Sequence, residues 1–257
     1  MSDSTAAFGR KVFFLNPPSV LAEVLPVLAD AEFEVYQAKD HRKLGRYLAK
    51  DPSCLVFVNI DEGDDESTWR SWLKELKAAP ATAGLSFGAL TNMPDEEKRE
   101  AYLMSLGASC GFITLSAGAA KAAETLLRTL EANEARGRRR YVRVPCPADS
   151  ASFNCDLDGE LQRGAIRDLS SVGMAVSFES SRRVATGLRL KDMQLNLRGS
   201  RLSLNGIVMG GHDNEDSGDV RLVMFEPATV DDAKRGKLRT FIRKTLQAGM
   251  DSVLDGY

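Results

Sequence analysis

The sequence predicts two halves of different build: an α/β unit on a parallel sheet, then an all-β barrel or sandwich followed by a helix. Three observations carry this. Up to residue 133, short apolar runs alternate with helical patterns. From residue 145, short alternating or β-branched segments recur between turn signals, and no helical pattern returns until residue 230. Between the two lies the stretch Arg136-Gly137-Arg138-Arg139-Arg140-Tyr141-Val142-Arg143. The division is therefore 1–133 as an α/β domain, 134–144 as an arginine-rich linker and 145–257 as a β domain.

The elements follow in order. Lys11–Leu15 is a buried strand. Residues 19–31 form a helix with Leu21, Val24, Leu25 and Leu28 on one face, where Pro26 predicts a kink or a shorter helix. Phe33–Gln37 is a strand, 40–50 a helix and Cys54–Ile60 the central strand. Residues 66–78 are helical, with Trp69, Trp72, Leu73 and Leu76 as a core stripe. Leu85–Leu90 is a strand, Asp95–Leu106 a helix that follows Pro94, Gly111–Leu115 the last strand and Ser116–Glu134 a long helix. Five strands interleaved with five helices argue for a parallel sheet covered on both faces. In the second half the strands are Ser152–Leu157, Leu161–Leu169, Met174–Phe178, Leu188–Leu197, Arg201–Met209 and Asp219–Phe225. Turns are marked at Asp158-Gly159, at Arg198-Gly199 and over Gly210–Gly218, which reads as a mobile tip. Residues 230–248 close the chain as an amphipathic helix with Leu238, Phe241, Ile242 and Leu246 on one side.

Composition narrows the function. The net charge is −2, so no global basic field draws the chain to nucleic acid; basic character is local and suits a compact anion. No apolar run approaches the roughly 20 residues of a membrane span. The N-terminus has neither a basic start nor an apolar signal core, so the chain reads as cytoplasmic. Cys54, Cys110, Cys146 and Cys155 have no metal spacing, and only His41 and His212 could join them, so no metal site is expected. Cys54 and Cys110 lie in apolar runs and read as buried thiols. There is no nucleophile motif and no P-loop, and two histidines leave little for general-base work; an enzyme and a resident cofactor are not expected.

The arginine stretch has a companion downstream, Asp168-Leu169-Ser170-Ser171-Val172-Gly173. A guanidinium binds phosphate with a planar fork and stacks on flat rings. A carboxylate accepts the edge hydrogens of guanine, and a glycine lets backbone come close to a ligand. Together these describe a site for something with phosphates and a purine. Arg139-x-x-x-Arg143 followed by Asp168-x-Ser170-x-x-Gly173 resembles the PilZ family from about Arg138 onward. The resemblance implies a six-stranded antiparallel barrel with a terminal helix packed on it, and cyclic di-GMP as ligand. It implies that Arg139 and Arg143 grip phosphate and guanine, and that Asp168, Ser170 and Gly173 contact guanine and the phosphodiester. Arg138, just before the motif, is where some relatives carry an arginine that favours a stacked ligand dimer.

The first half resembles the receiver domains of response regulators over about residues 10–133, which implies a five-stranded, flavodoxin-like sheet. The residues that such a domain needs for phosphotransfer are replaced. Asn16-Pro17-Pro18 follows the first strand, Asn59 stands where the phosphorylated aspartate belongs, and Thr114-Leu115 takes the place of the lysine and proline; only Thr91 matches. A pseudo-receiver without phosphotransfer is expected, with Asp61, Asp64 and Asp65 as a solvated acidic loop. The expected function is a cyclic di-GMP receptor whose first domain offers a surface to an unidentified protein partner. An adaptor that has lost its ligand, and a nucleic-acid module using the same arginines, are the alternatives.

Overall fold

A computed structural model of the chain describes residues 9–137, 140–180, 184–214 and 218–257. It divides into two compact units, one of residues 1–140 with 247–257 and one of residues 141–246.

The first unit is a parallel sheet of β1 (Val12–Leu15), β2 (Val35–Ala38), β3 (Leu55–Asn59), β4 (Ser86–Thr91) and β5 (Phe112–Thr114), in the order β2-β1-β3-β4-β5. That is the doubly wound order of flavodoxin-like and receiver folds. The strands are apolar on both faces because helices cover both. Val12, Phe14, Leu55 and Phe57 share one core with α1 (Leu21–Asp30) and α5 (Ala119–Ala132). In α2 (His41–Leu48) the Tyr47 ring lies 5.4 Å from that of Phe13. In α3 (Glu66–Ala78) Trp69 and Trp72 are buried, as their spacing predicts, and the His41 ring meets them edge-on at 5.5 and 5.7 Å.

Two helices carry irregularities. Pro26 lies inside α1 without ending it. The carbonyl that loses its N–H partner belongs to Ala22, which is exposed to solvent. The helix expected over 95–106 is α4 (Glu96–Glu100), capped by Asp95, followed by a π-helical turn over Ala101–Ser105. The Leu106 N–H reaches back five residues to the Ala101 carbonyl at 3.1 Å, and the wider turn accompanies complete burial of Tyr102.

Helix α5 ends in a Schellman motif. The Ala135 N–H bonds the Leu130 carbonyl at 3.0 Å, the Glu134 N–H bonds that of Glu131 at 3.1 Å, and Glu134 sits at φ +51°. Glycine is the residue that this position favours, and a left-handed non-glycine costs about 1–2 kcal/mol. Glu134→Gly is therefore expected to stabilise the chain by about 1 kcal/mol, after allowing for the entropy that glycine adds to the unfolded state. A urea titration checks the sign.

Lys11 and Asp51 pair at 2.7 Å beside β1. Burial works against the Asp51 carboxylate, but hydrogen bonds from Lys11 and Ser53 outweigh it and hold its pKa below the ordinary value. A carboxyl lowered on folding contributes stability that is complete above its unfolded pKa of about 4 and is lost as the pH falls further. The melting temperature should therefore drop as pH falls below about 4, and Asp51→Asn should flatten that drop. Melting curves between pH 6 and 2 test it.

The second unit is antiparallel. Its strands are β6 (Arg143–Pro145), β7 (Ala151–Leu157), β8 (Glu160–Ser170), β9 (Gly173–Phe178), β10 (Arg189–Leu197), β11 (Ser200–Asn214) and β12 (Gly218–Phe225). They run β6-β8-β7-β10-β11-β12-β9, and the pairing of β8 with β9 closes six of them into a barrel, with β6 added along the far end of β8. Closure removes the exposed sheet edges. The turns at Asp158-Gly159 and Arg198-Gly199 have positive φ at both central residues, and the Asp156 and Asn196 carboxylate and amide oxygens accept from the glycine N–H groups. The glycine-rich run expected as a tip is strand instead: β11 continues through Asn214 and pairs with Gly218–Phe225, and residues 215–217 lie outside the described ones. Phe153, Leu195, Leu204, Val223 and Phe225 fill the interior together with Leu238, Phe241 and Ile242 of α6 (Asp232–Asp255).

Helix α6 is longer than the expected 230–248. Its last turns belong to the first unit, where Met250 and Leu254 are buried. There the Gln247 amide exchanges two hydrogen bonds of 2.9 Å with the backbone of Gln37 on edge strand β2, as a neighbouring strand would. Among the described residues no helix is long and apolar enough to cross a membrane.

Candidate functional site

The barrel interior fixes which side chains face outward. Val144, Leu169, Met174 and Val223 are buried in the barrel core, and they are paired across β6, β8, β9 and β12. Residues directly opposite share a face, and neighbours along a strand alternate. Arg143, which pairs with Ser170, and Asp168, which pairs with Pro145 and Ala175, therefore lie on the outer face.

Asp168 reaches that face through a bulge. The register between β8 and β9 shifts between Ile166 and Asp168, so Ile166 and Leu169 both point inward while Arg167 and Asp168 lie between them. The Arg167 Nε donates to the Ser177 hydroxyl at 2.9 Å on β9. Sequence reasoning passed over this arginine, although the signal was available: two charged residues in a row between two apolar ones break a two-residue period.

Arg143 Nη1 stands 4.0 Å from Asp168 Oδ1, with the two side chains 48% and 35% exposed. An ion pair at that distance and exposure is weak. Ser170 is 3% exposed. Its hydroxyl donates to the Gly173 carbonyl at 3.0 Å and accepts from the Val172 N–H at 3.4 Å, which ties the turn between β8 and β9 to itself. The Val172 carbonyl in turn accepts from the Phe225 N–H at 2.9 Å. At Gly173 a Cβ would lie 2.6 Å from the Val223 carbonyl oxygen, so the strands close up only because no side chain is there. Of the residues singled out from sequence, Arg143, Asp168, Ser170 and Gly173 are thus gathered around one strand end. Arg138 and Arg139 lie outside the described residues.

Cys146 adjoins this cluster, its N–H donating to the Arg167 carbonyl at 2.8 Å. Burial, and then the Asp168 charge, push its thiol up to about 11. All four cysteines are free, and Cys54 and Cys110 are buried thiols as expected. Among the described residues no group of three or more His, Cys, Asp or Glu is placed to hold a metal.

The carboxyl edge of the parallel sheet is where open α/β sheets place their ligands. Here the side chains at that edge bond to one another and to nearby backbone. Asp61 accepts from the Thr91 hydroxyl at 2.7 Å and from the Asn92 N–H at 2.6 Å. Fully buried Asn59 donates to the Asn16 carbonyl at 2.9 Å. The acidic loop is solvent-exposed from Asp61 to Asp65, as expected, and its carboxylates also bond locally: Asp65 caps α3 through the Thr68 N–H at 2.7 Å, and Asp64 lies 3.1 Å from the His41 ring nitrogen.

The closed antiparallel barrel thus carries an arginine and a carboxylate on its outer face beside a tight serine–glycine turn. The sequence model of the PilZ domain matches residues 137–244, so the C-terminal half of the chain carries a PilZ domain. No curated protein matches the chain significantly. Solved structures that resemble it include the PilZ domain of YcgR from Escherichia coli, described with c-di-GMP, at 17% identity and a TM-score of 0.38, covering 45% of this chain and 96% of that one. Another is YcgR from Escherichia coli in complex with c-di-GMP, at 17% identity and a TM-score of 0.42, covering 48% of this chain and 52% of that one. A third is a response regulator from Desulfuromonas acetoxidans, at 19% identity and a TM-score of 0.38, covering 49% of this chain and 98% of that one. The match therefore spans about half the length of that YcgR chain.

Proposed function

We propose that the chain is a cyclic di-GMP receptor and not an enzyme. The observation that carries the reading is the meeting of Arg143 with Asp168 on the outer rim of a barrel whose sequence matches the PilZ domain. Arg143, with Arg139 by motif position, grips the phosphates. Asp168 accepts the guanine edge hydrogens, while Ser170 and Gly173 hold the turn low enough for the nucleotide to lie close. Arg138 adds the contact that favours two stacked ligands. The functional division is 1–133 as pseudo-receiver, 134–144 as clamp and 145–257 as PilZ domain.

Ordering backbone costs about 1–2 kcal/mol per residue. Charge-assisted hydrogen bonds of about 1.5–3 kcal/mol each offset that cost. Because the clamp joins the two domains, ordering it changes their relative orientation, and the pseudo-receiver passes the change to a protein partner. Calorimetry with cyclic di-GMP on the full chain tests the receptor reading. Heat with micromolar or tighter affinity supports it, and the stoichiometry separates one ligand from two. No heat, and no competition by cyclic di-GMP for a fluorescent analogue, would sink it. X-ray scattering that superimposes with and without ligand would sink the reorientation alone.

A further inference from the structure

The chain that leads into the arginine stretch is held in the α/β unit by an arrangement that the sequence did not announce. After the Schellman turn, Ala135 is tucked in at 2% exposure, and its carbonyl accepts from the Arg10 N–H at 2.9 Å. The Arg10 guanidinium donates to the Asn133 carbonyl at 3.0 Å, and also to the Ser53 carbonyl at 2.6 Å and the Ser86 hydroxyl at 3.0 Å. A cation on the last carbonyls of α5 is matched to the negative end of the helix dipole. Gly9 lies against the same segment, where a Cβ would meet the Ala135 oxygen at 2.7 Å and the Gly137 nitrogen at 2.8 Å. The Arg136 guanidinium covers the Phe33 ring at 4.8 Å and pairs with Glu131 at 3.4 Å.

From these contacts we infer that Gly9, Arg10 and Phe33 form a clasp that fixes residues 133–137, and that they are positioning residues for the ligand site. The inference rests on the cyclic di-GMP reading and assigns the α/β unit a task within it. None of the three touches the ligand. They fix the point from which the arginine stretch departs, so residues 133–137 are already ordered before binding and only the rest of the clamp is left to be ordered. The unit thus serves the site as an anchor, whatever chemistry its sheet edge has lost.

Calorimetry on full-length variants, paired with hydrogen exchange on the ligand-free chain, tests this. Gly9→Ala introduces the one methyl for which the segment leaves no room. It should weaken cyclic di-GMP about tenfold, the equivalent of about one residue to be ordered anew. The loss should appear in the entropy of binding, with the enthalpy unchanged, because the contacting groups are intact. Exchange at Ala135 and Gly137 should quicken. Phe33→Leu keeps every charge and should move affinity in the same direction, whereas Arg128→Ala, which removes an exposed charge paired with Glu124 on α5, should leave it unchanged. Wild-type affinity in Gly9→Ala despite quickened exchange would overturn the positioning role. Fast exchange at Ala135 in the wild type would overturn the clasp itself. A wild-type chain that gives no heat would overturn the receptor reading and the positioning role with it, while slow exchange at Ala135 would leave the clasp standing.

Discussion

Replacing Arg143 by alanine is expected to lower cyclic di-GMP affinity more than tenfold while leaving the unfolding midpoint within error of wild type. A bidentate guanidinium–phosphate contact contributes at least about 1.5 kcal/mol, and tenfold corresponds to about 1.4 kcal/mol. The fold should be indifferent because Arg143 is half exposed at the start of a three-residue strand, and its 4.0 Å pair with Asp168 lies at the weak end of surface ion pairs. Arg143→Lys separates fork from charge: a lysine keeps the charge and loses the planar geometry, so most of the affinity should still go. Calorimetry and a urea titration on the same preparations settle both halves. Unchanged binding in Arg143→Ala would remove this residue from the site.

Gly173→Val, by contrast, is expected to cost stability and binding together. The added Cβ would sit 2.6 Å from the Val223 carbonyl oxygen and 3.4 Å from Met224 Cα, both backbone atoms of the neighbouring strand. Neither can swing away as a side-chain end could. The pairing of β9 with β12 must open, and overpacking of this kind costs about 1–3 kcal/mol. The same displacement drags the Gly173 carbonyl away from the Ser170 hydroxyl and distorts the turn beside Asp168. A lowered urea midpoint with loss of ligand heat is the expected pair of results. A stable variant that still binds would show that the turn tolerates a shift that these distances forbid.

Much of this was readable from pattern alone, and the exceptions have causes. Trp69 and Trp72 declared themselves as core because a helical stripe of large apolar residues has nowhere else to go. The turns at Asp158-Gly159 and Arg198-Gly199 were legible because left-handed backbone asks for glycine. Strand β11 was cut short at Gly210 because two glycines read as a turn, whereas here Gly211 faces Arg221 across the pair and leaves room for it. At the site, the two half-motifs were visible as residue types, but the bulge that turns Asp168 outward is a matter of register, which depends on three strands at once. Asp61 was unreadable for a similar reason: its partners Thr91 and Asn92 are 30 and 31 residues away and meet it only when the sheet has formed. The end of α6 was underestimated because its last buried residues, Met250 and Leu254, continue the spacing of Leu246 but pack in a different unit.

That last feature has a bearing on the order in which the molecule is made. Residues 247–257 complete the α/β unit, yet they emerge after the entire barrel. At about 5–20 residues per second, the sheet, complete at Thr114, leaves the ribosome roughly 7–27 s before the segment from Gln247 that covers β2. During that interval the Gln37 backbone faces water without the Gln247 amide, and an uncovered edge strand is a template for other chains. The barrel has therefore to be synthesised before its predecessor is finished, and the birth of the two units is interleaved, although their sequences follow one another.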